Sequence, residues 1–412
     1  MAKATSFRKQ TVTALLFLLA CGASCAPTSL SGAESSKPIS YQPPKEQVRA
    51  QIKWVKPICV ETNRYIGWPT VYRLKNGEMM AVFSGDRQGH VCPYGKVQMI
   101  RSKDDGETWS APVTIANGIL DDRDAGIMQM PDGEILVTHF TSIAYLSDPA
   151  AHIDRHPEYR WHHEKIPPEM VKESLGYFRT GSVDGGKTWS KPFKMYGVNS
   201  GPHGPILLRD GSLFALGRSF RDAKSAAATG KPIHQCIISA WRSDDRGFTW
   251  KCLCPEIADR NGENAKPKMM HEPSVLELPD GTLLGMVRYH GPDGCLRQTS
   301  SRDGGRTWTP FVATPMLGYP PHLIQLPDGK IVCVYGRRVK KPHFGEYAQI
   351  SDDGGKTWDS ANEIVLSIAP SGDLGYPASC LGSDGSIVTI YYQRLDAKTL
   401  PCLMATKWRI TK

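Results

Sequence analysis

The stretch LDDRDAG, which runs from Leu120 to Gly126, packs three carboxylates and one guanidinium into four consecutive positions. A carboxyl group that faces a bound substrate can protonate the leaving oxygen, so Asp122 and Asp124 are candidate proton donors. Arg123, which stands between them, is a candidate substrate-binding residue. The sequence predicts a loop here. If the loop faces a pocket, these residues could act on a substrate; the alternative is an exposed loop whose four charges are only solvated.

Other short stretches offer cations and imidazoles that could contact a polar or anionic ligand. SGDRQGHVCP contains Arg87 and His90, SGPHGP contains His203, and YGRR contains Arg337 and Arg338. Each of these signals is weak when taken alone. The formal net charge of +9 also suits an anionic ligand, although a charge excess is usually just a solvated exterior.

The fold that must position these candidates is indicated by two sequence repeats. A box of the form Ser-x-Asp-x-Gly-x-Thr-Trp occurs five times, starting at Ser102, Ser182, Ser243, Ser301 and Ser351. Its Ser and Asp side chains can accept hydrogen bonds from backbone N–H groups within the turn, its Gly can adopt a left-handed conformation, and its Trp can cover a sheet edge. A fold needs one such lock in every unit, whereas catalysis needs a single constellation. We therefore interpret the boxes as turn locks rather than catalytic or calcium-binding motifs.

The second repeat is an Asn-Gly or Asp-Gly pair followed at once by an apolar run, which is the strongest short-range signal for a β-hairpin. It occurs six times, at Asn76, Asp132, Asp210, Asp280, Asp328 and Asp384. Each of the first five hairpins is followed by one box, and the sixth is followed only by the strand-like CLMATKW. One hairpin and one box make roughly one propeller blade. The sequence predicts an all-β fold, a six-bladed β-propeller over residues 47–412, with a strand near Lys53 completing the last blade.

The N-terminal segment has the pattern of a secretory signal. Basic residues precede an apolar run from Val12 to Ala20, and small residues follow it, which predicts a signal peptide over residues 1–25. LLAC, ending at Cys21, also resembles a bacterial lipobox, so lipidation of Cys21 and plain cleavage both remain open. Residues 26–46 have the composition of a flexible tether. We expect a secreted, periplasmic or cell-surface protein that touches a membrane only through a lipid on Cys21.

Two insertions interrupt the repeats. Between Thr141 and Gly176 the chain carries four histidines and a predicted short helix after Pro167 and Pro168, in a segment long enough to overhang a pocket. Because the histidines lack the spacing of a metal site, we interpret them as surface or packing residues. RDAKSAAATGKP, near Lys224, is a low-complexity loop to which we assign no role. We predict no metal, no cofactor and no nucleic-acid partner.

Repeated boxes on a six-bladed propeller resemble the sialidase (neuraminidase) superfamily of BNR, or Asp-box, proteins, and the likeness extends from about Trp54 to Lys412. The boxes are more specific for the fold than for activity, because non-catalytic proteins also carry them. The resemblance implies a tyrosine nucleophile assisted by a glutamate, an aspartate acid/base, and three arginines that clamp the substrate carboxylate.

Several positions match the family pattern. Tyr376 lies nine residues before Gly385, as the family nucleophile does, and MHEPSVLELPDG supplies Glu272 as its partner. The alternative is that Tyr376 merely packs against Pro377. The loop that contains His203 resembles a family loop that enters the site. The candidate substrate-binding residues are Arg288, which matches one clamp arginine, together with Arg297, Arg123, His203, Arg338 and His90.

Three family positions are occupied by other residue types. Gly67 stands where the first clamp arginine is expected, Pro93 where the acid/base aspartate is expected, and the last clamp arginine is replaced near Tyr347. These departures leave the identity of the sugar open.

Charge explains why a tyrosine could be the nucleophile. An anionic substrate would repel a carboxylate, whereas a neutral phenol activated by Glu272 becomes negative only as it reacts. An unperturbed phenol has a pKa of about 10, so Glu272 and cations such as Arg288 must lower the cost of forming phenolate. We predict a sialidase-like exo-glycoside hydrolase that removes a terminal α-linked, acidic sugar from a glycan with retention. The alternatives are a glycosidase for a different sugar and a non-catalytic carbohydrate-binding propeller.

Overall fold

A computed structural model describes residues 42–147, 152–198, 201–220, 236–257, 270–339 and 342–411. The predicted signal peptide, Cys21 and the low-complexity loop near Lys224 lie outside these ranges, as does most of the predicted tether. The described part of the chain is nearly all β, with two short helices, α1 (Pro157–Glu164) and α2 (Pro168–Ser174). No helix in the described part is long and apolar enough to cross a membrane.

The strands form six antiparallel sheets arranged as the blades of a propeller, which confirms the predicted fold class. The chain begins with β1 (Glu46–Gln47) and β2 (Ala50–Cys59). Blade 1 contains β3 (Tyr65–Arg73), β4 (Met79–Arg87), β5 (Lys96–Ser102) and β6 (Val113–Ala116). Blade 2 contains β7 (Asp121–Gln129), β8 (Ile135–Ser142), β9 (Tyr177–Ser182) and β10 (Phe193–Met195). Blade 3 contains β11 (Ile206–Leu207), β12 (Leu213–Phe220), β13 (Cys236–Ser243) and β14 (Lys251–Cys254).

Blade 4 contains β15 (Met270–Glu277), β16 (Leu283–Tyr289), β17 (Cys295–Ser301) and β18 (Val312–Leu317). Blade 5 contains β19 (Pro321–Gln325), β20 (Ile331–Arg337), β21 (Gly345–Ser351) and β22 (Ile364–Ile368). Blade 6 contains β23 (Leu374–Leu381), β24 (Ile387–Gln393) and β25 (Cys402–Ile410). The first strand of each blade lies innermost, so that β3 contacts both β7 and β23, and β19 contacts both β15 and β23.

The ring is closed by the N-terminal strand. β2 pairs with β25, and the pairs include Lys56 with Ala405, so blade 6 is built from both ends of the propeller. This arrangement confirms that the strand near Lys53 completes the last blade. This pairing closes the ring, because the segment that precedes blade 1 is hydrogen-bonded into the sheet of blade 6.

The predicted hairpin turns join the first and second strands of every blade. In blade 1, the N–H of Leu74 donates to the Glu78 carbonyl at 2.8 Å, and the N–H of Gly77 donates to the Leu74 carbonyl at 2.9 Å. Gly77 has a φ of 90°, a left-handed conformation that a side chain would disfavour. The Asn-Gly and Asp-Gly pairs therefore mark real turns.

The boxes lock the turns that follow the third strand of the first five blades. In the box of blade 4, Asp303 accepts hydrogen bonds from the Thr307 N–H at 2.9 Å and the Thr307 hydroxyl at 2.6 Å. The hydroxyl of Ser301 donates to Asp303 at 2.9 Å and accepts from the Gly305 N–H, also at 2.9 Å. Trp308 donates its Nε1–H to the Gly305 carbonyl at 3.0 Å and packs against Phe214 of the preceding blade. The box thus stabilises its own turn by hydrogen bonds and packs one blade against the preceding one.

The insertion between β8 and β9 packs onto the loop that joins β4 to β5. Tyr145 and Tyr159 are buried there in a cluster with Cys92. The four histidines are those of AHIDRHPEYRWHH, and at least three of them contact neighbouring groups. His162 donates to the Ile119 carbonyl at 2.9 Å, His163 lies 3.0 Å from the Tyr145 hydroxyl, and His156 stacks on Tyr159. The predicted short helix is confirmed as α2, while α1 was not predicted.

One buried carboxyl group has no hydrogen-bond partner in the described structure. Glu346 in β21 is fully buried, and neither of its carboxyl oxygens is hydrogen-bonded. It lies against Gly336, where an added Cβ would come within 3.2 Å of its Oε2. Burial raises the pKa of Glu346 to about 8, even though the charge of Arg338 lowers it. Glu346 is therefore protonated at neutral pH.

The turn locks can be tested by the substitution Asp303→Ala. It removes the acceptor for Thr307 and Ser301, so we expect the free energy of unfolding to fall by roughly 1–2 kcal/mol, as for the loss of a capping hydrogen bond. Asp244→Ala, at an exposed carboxylate that pairs with Arg242, is the control and should change stability little. Urea titration followed by circular dichroism measures both variants. Equal losses in the two variants would contradict the lock interpretation.

The substitution Glu346→Gln tests the buried carboxyl group. A carboxyl whose folded pKa is raised contributes stability that is fully present below its unfolded pKa of about 4.3 and is lost as the pH rises towards its folded pKa. Glutamine keeps the shape without this loss, so the variant should match the parent near pH 4 and exceed it by at least about 1 kcal/mol at pH 8. Exposed Glu173→Gln is the control. Denaturant titrations at both pH values that show no pH-dependent gain would exclude a protonated, buried Glu346.

Candidate active site

Four inner strands carry a β-bulge at one end of the propeller. A non-glycine residue with a positive φ occupies each bulge: Trp68 at 56°, Asp124 at 47°, Glu272 at 45° and Tyr376 at 54°. Such backbone is costly for a residue with a Cβ, and a bulge redirects the side chain out of the regular alternation. Strained residues of this kind cluster at functional sites.

Tyr376 and Glu272 meet across the central axis. The Tyr376 hydroxyl donates to Glu272 Oε1 at 2.5 Å, and Arg288 Nη1 donates to Glu272 Oε2 at 2.6 Å. The predicted contact between Tyr376 and Glu272 is therefore confirmed, and it excludes the alternative that Tyr376 only packs within its own loop. The assignment of nucleophile and base stays a prediction.

The charges around Glu272 keep it ionised. Burial raises its pKa, but the charge of Arg288, the hydrogen bonds from Tyr376 and Arg288, and the charge of Arg338 together lower it to about 2. The pKa of Tyr376 is raised well above its usual value by burial and by the charges of Glu272 and Asp124. The resting pair is a neutral phenol that donates to a carboxylate.

Asp124 stands at the same cleft as Glu272. Its side chain is 9% exposed, its Oδ1 has no hydrogen-bond partner in the described structure, and the Nε of Arg123 lies 3.9 Å from that oxygen. Burial raises the pKa of Asp124 to about 7 and outweighs the opposing charge of Arg123, while the charge of Glu272 adds to the increase. Asp124 can therefore exchange a proton near neutral pH.

The prediction that Asp121–Asp124 form an exposed loop was wrong, because these residues begin β7 and are buried or nearly so. Because successive side chains of a strand point to opposite faces, Asp121 and Asp122 have different neighbours. Asp121 binds Arg87 through two hydrogen bonds, at 2.6 and 2.9 Å. Asp122 accepts from the Gly118 N–H at 2.6 Å and lies 3.5 Å from His139, at a separate cleft between blades 1 and 2. Of the two candidate donors, only Asp124 shares the cleft of Glu272.

Two further predicted cations, Arg338 and Arg123, lie near Tyr376 and Trp68. The guanidinium of Arg338 lies 5.6 Å from the centre of the Tyr376 ring and donates to the Tyr392 hydroxyl at 2.7 Å, while its Nε has no hydrogen-bond partner in the described part of the chain. The guanidinium of Arg123 lies 4.5 Å from the Trp68 ring. Arg218 also lines the cleft and was missed, because a single arginine at the end of a strand carries no sequence signal.

Other predicted candidates have different partners. Arg297 donates to Asp293 at 2.9 Å and to the Cys295 carbonyl at 3.0 Å, and it stacks on Tyr289 at 3.8 Å from the ring centre. The assignment of Arg297 as a substrate-binding residue stays a prediction. Arg337 is held similarly by Glu363.

The two predicted histidines lie at different depths. His203 is enclosed near the axis, where its Nδ1 lies 3.0 Å from the Thr70 hydroxyl and its ring centre 4.9 Å from that of His322. Burial lowers the pKa of His203 well below its usual value, so it is neutral. Its loop contributes Gly201 and Pro202, rather than His203 itself, to the cleft wall. His90 is exposed beside Trp68.

An aromatic cluster fills the space around Gly67. A Cβ added to Gly67 would lie 3.2 Å from the ring of Tyr392, so no larger side chain fits there without displacing the ring. Trp68 packs against Tyr65, Tyr376 and Tyr392, with ring centres 5.5 to 6.3 Å apart. The ring of Tyr392 therefore stands directly against the position where the family has its first clamp arginine.

The cleft itself has a volume of about 710 Å³. One wall comes from the insertion between β8 and β9, including Ile143, Leu146 and Leu175, as its predicted overhang implied. Arg218 and Tyr177 contribute polar groups near Asp124 and Glu272. Within the described residues there is no cluster of three or more metal-binding side chains.

Comparison with known proteins places this geometry in a family. The model of the BNR repeat-like domain matches residues 168–390. A sialidase of Bacteroides fragilis (strain YCH46) is 24% identical over 352 residues, which cover 79% of this chain and 59% of that protein. This chain thus spans less than two thirds of the relative.

Solved structures share the fold at low sequence identity. A protein of unknown function from Dyadobacter fermentans has a TM-score of 0.68 at 21% identity, covering 88% of this chain and 99% of that chain. The NanB sialidase of Streptococcus pneumoniae has a TM-score of 0.56 at 14% identity, covering 92% of this chain and 72% of that chain. Because the family model matches more than half of its length, the chain belongs to the BNR-repeat, sialidase-like superfamily.

Proposed function

We propose that the protein is an exo-glycoside hydrolase that removes a terminal α-linked, acidic sugar with retention of configuration. The observation that carries the proposal is the 2.5 Å hydrogen bond between Tyr376 and Glu272, formed by two residues that both have strained backbone. Tyrosine nucleophiles of this kind are a known exception to the two-carboxylate rule for glycosidases. The relative named a sialidase supports the same reaction class.

The charge states favour one order of events. Because the pKa of Tyr376 is raised and that of Glu272 is lowered, the proton does not leave the phenol before the reaction begins. In the first step the Tyr376 oxygen bonds to the anomeric carbon while its proton passes to Glu272, and protonated Asp124 gives its proton to the leaving oxygen. The sugar is then held covalently on Tyr376.

The second step reverses the roles. Asp124, now a carboxylate, takes a proton from water as the water oxygen bonds to the anomeric carbon. The bond to Tyr376 breaks, and Glu272 returns the proton to the phenolate oxygen. Two displacements on opposite faces give net retention. The cations Arg288 and Arg338 stabilise the negative charge that develops on the tyrosine oxygen.

The same two cations favour an anionic sugar, because both lie beside the Tyr376–Glu272 pair. The aromatic cluster around Gly67 favours the second candidate, a glycosidase for a sugar other than sialic acid, since it occupies the place of a clamp arginine. A carbohydrate-binding propeller without activity is the outcome if no glycoside is cleaved. Secretion, and a lipid on Cys21, are further proposals that rest on residues 1–25 alone.

The proposal is tested first with aryl α-glycosides of neutral and acidic sugars, including sialosides, and with Tyr376→Phe. We expect turnover of at least one acidic glycoside, and the variant should bind it with little change while kcat falls by several orders of magnitude. Glu272→Gln should lower kcat by about 10²–10⁴-fold. Tyr391→Phe, which removes another buried hydroxyl, is the control and should stay active. A fully active Tyr376→Phe would refute the nucleophile.

Asp124→Asn tests the acid/base. Because Asp124 must be protonated in the first step and has a pKa of about 7, kcat/KM of the parent should fall as the pH rises above 7. The variant should lose this limb and about 10²–10⁴-fold in rate on substrates with poor leaving groups, but much less on nitrophenyl glycosides, which leave without a proton. Asp122→Asn is the matched control. If it is the more damaging of the two, the assignment is wrong.

A further inference from the structure

His90 lies on the loop between β4 and β5, and it is exposed. Its ring meets that of Trp68 edge-on, with ring centres 4.9 Å apart. The charges that act on it come from Arg123, Arg338, Arg87 and His152. His90 is therefore close to the groups that surround Tyr376 and remains open to a ligand.

A chain of hydrogen bonds fixes the proton on one nitrogen of His90. Arg394 donates to Asp373 Oδ2 at 3.0 and 3.2 Å, which holds Asp373 as an acceptor. The Tyr65 hydroxyl donates its single proton to Asp373 Oδ1 at 2.7 Å. His90 Nδ1 lies 2.9 Å from the same hydroxyl oxygen. Since Tyr65 has no second proton to give, the Nδ1 of His90 must be the donor.

The other ring nitrogen is consequently an acceptor. A neutral imidazole protonated at Nδ1 carries a lone pair at Nε2. Desolvation of the ring where it packs against Tyr65 and Trp68, together with the charges of Arg123, Arg338 and Arg87, lowers the pKa of His90, which favours the neutral ring. Within the described residues Nε2 has no hydrogen-bond partner, and the ring has no proton to give to a leaving group from that side.

We propose that His90 Nε2 is a fixed hydrogen-bond acceptor that selects a hydroxyl group of the substrate sugar. The inference rests on the proposed glycosidase function and makes His90 a specificity residue rather than an acid. A lone pair repels a carboxylate, so the acidic group of the substrate is directed away from His90 and towards Arg338. A hydroxyl is attracted because it can donate.

The tautomer is tested on the free protein. Long-range ¹H–¹⁵N correlation of ¹⁵N-histidine-labelled protein should show Nδ1 protonated and Nε2 bare, and Tyr65→Phe should convert this single state to a tautomer mixture by removing the acceptor. On titration with N-acetylneuraminic acid, glucuronic acid, galacturonic acid and galactose, the His90 Nε2 resonance should move for at least one sugar. A protonated Nε2 in the free protein, or an Nε2 unmoved by a sugar that does bind, overturns the proposal. Binding of none of these sugars also overturns it.

Two variants separate the acceptor from mere packing. In His90→Gln the amide oxygen can reach the position of Nε2, whereas in His90→Asn it can reach only that of Nδ1. We expect affinity for the sugar identified above to fall about 5- to 10-fold in His90→Asn and to be largely retained in His90→Gln. Equal losses in both variants contradict the acceptor role. Because these readouts use binding, a protein that binds but cleaves nothing would defeat the proposed reaction and leave this inference standing.

Discussion

Closure of the ring by β2 against β25 is the constraint on which the site depends, because it fixes the six inner strands around one axis. Residues as distant in sequence as Glu272 and Tyr376 can then meet at 2.5 Å. Each left-handed backbone position costs about 1–3 kcal/mol, so the bulged strands persist only because the surrounding sheets over-determine them. The box locks and the ring closure supply that rigidity, and the box residues do not line the cleft.

Two carboxyl groups at one cleft have widely separated pKa values, because Glu272 is hydrogen-bonded to its nearest cation and Asp124 is not. Glu272 receives a direct hydrogen bond from Arg288 at 2.6 Å, and its pKa falls to about 2. Asp124 lies 3.9 Å from Arg123 without a hydrogen bond to it, and burial raises its pKa to about 7. Separated pKa values in one pocket distinguish a resident base from a proton donor. This separation underlies the roles that we propose for both.

The repeats made the fold predictable, because hairpin turns and boxes are local features whose chemistry is written in a few adjacent residues. Tyr376 and Glu272 were predictable through the resemblance to the sialidase family, whose pattern places such residues shortly before hairpin turns. The choice between Asp122 and Asp124 was not, since the bulge that turns one of them into the cleft has no sequence signature. The partners of Arg297 and the enclosure of Glu346 arise from tertiary packing, although a glutamate within an apolar strand was itself a visible signal.

The site combines one contact that the family resemblance implies with a changed neighbourhood around it. The contact between Tyr376 and Glu272 involves only two inner strands. It is present although the first clamp position holds Gly67 instead of an arginine. At Gly67 the ring of Tyr392 occupies the space, and Trp68 holds it there by aromatic packing. A side chain at position 67 would require the ring of Tyr392 to move. Arg288, which binds Glu272, and Arg338, which binds Tyr392 beside Tyr376, are the cations that we propose for recognition of an acidic sugar.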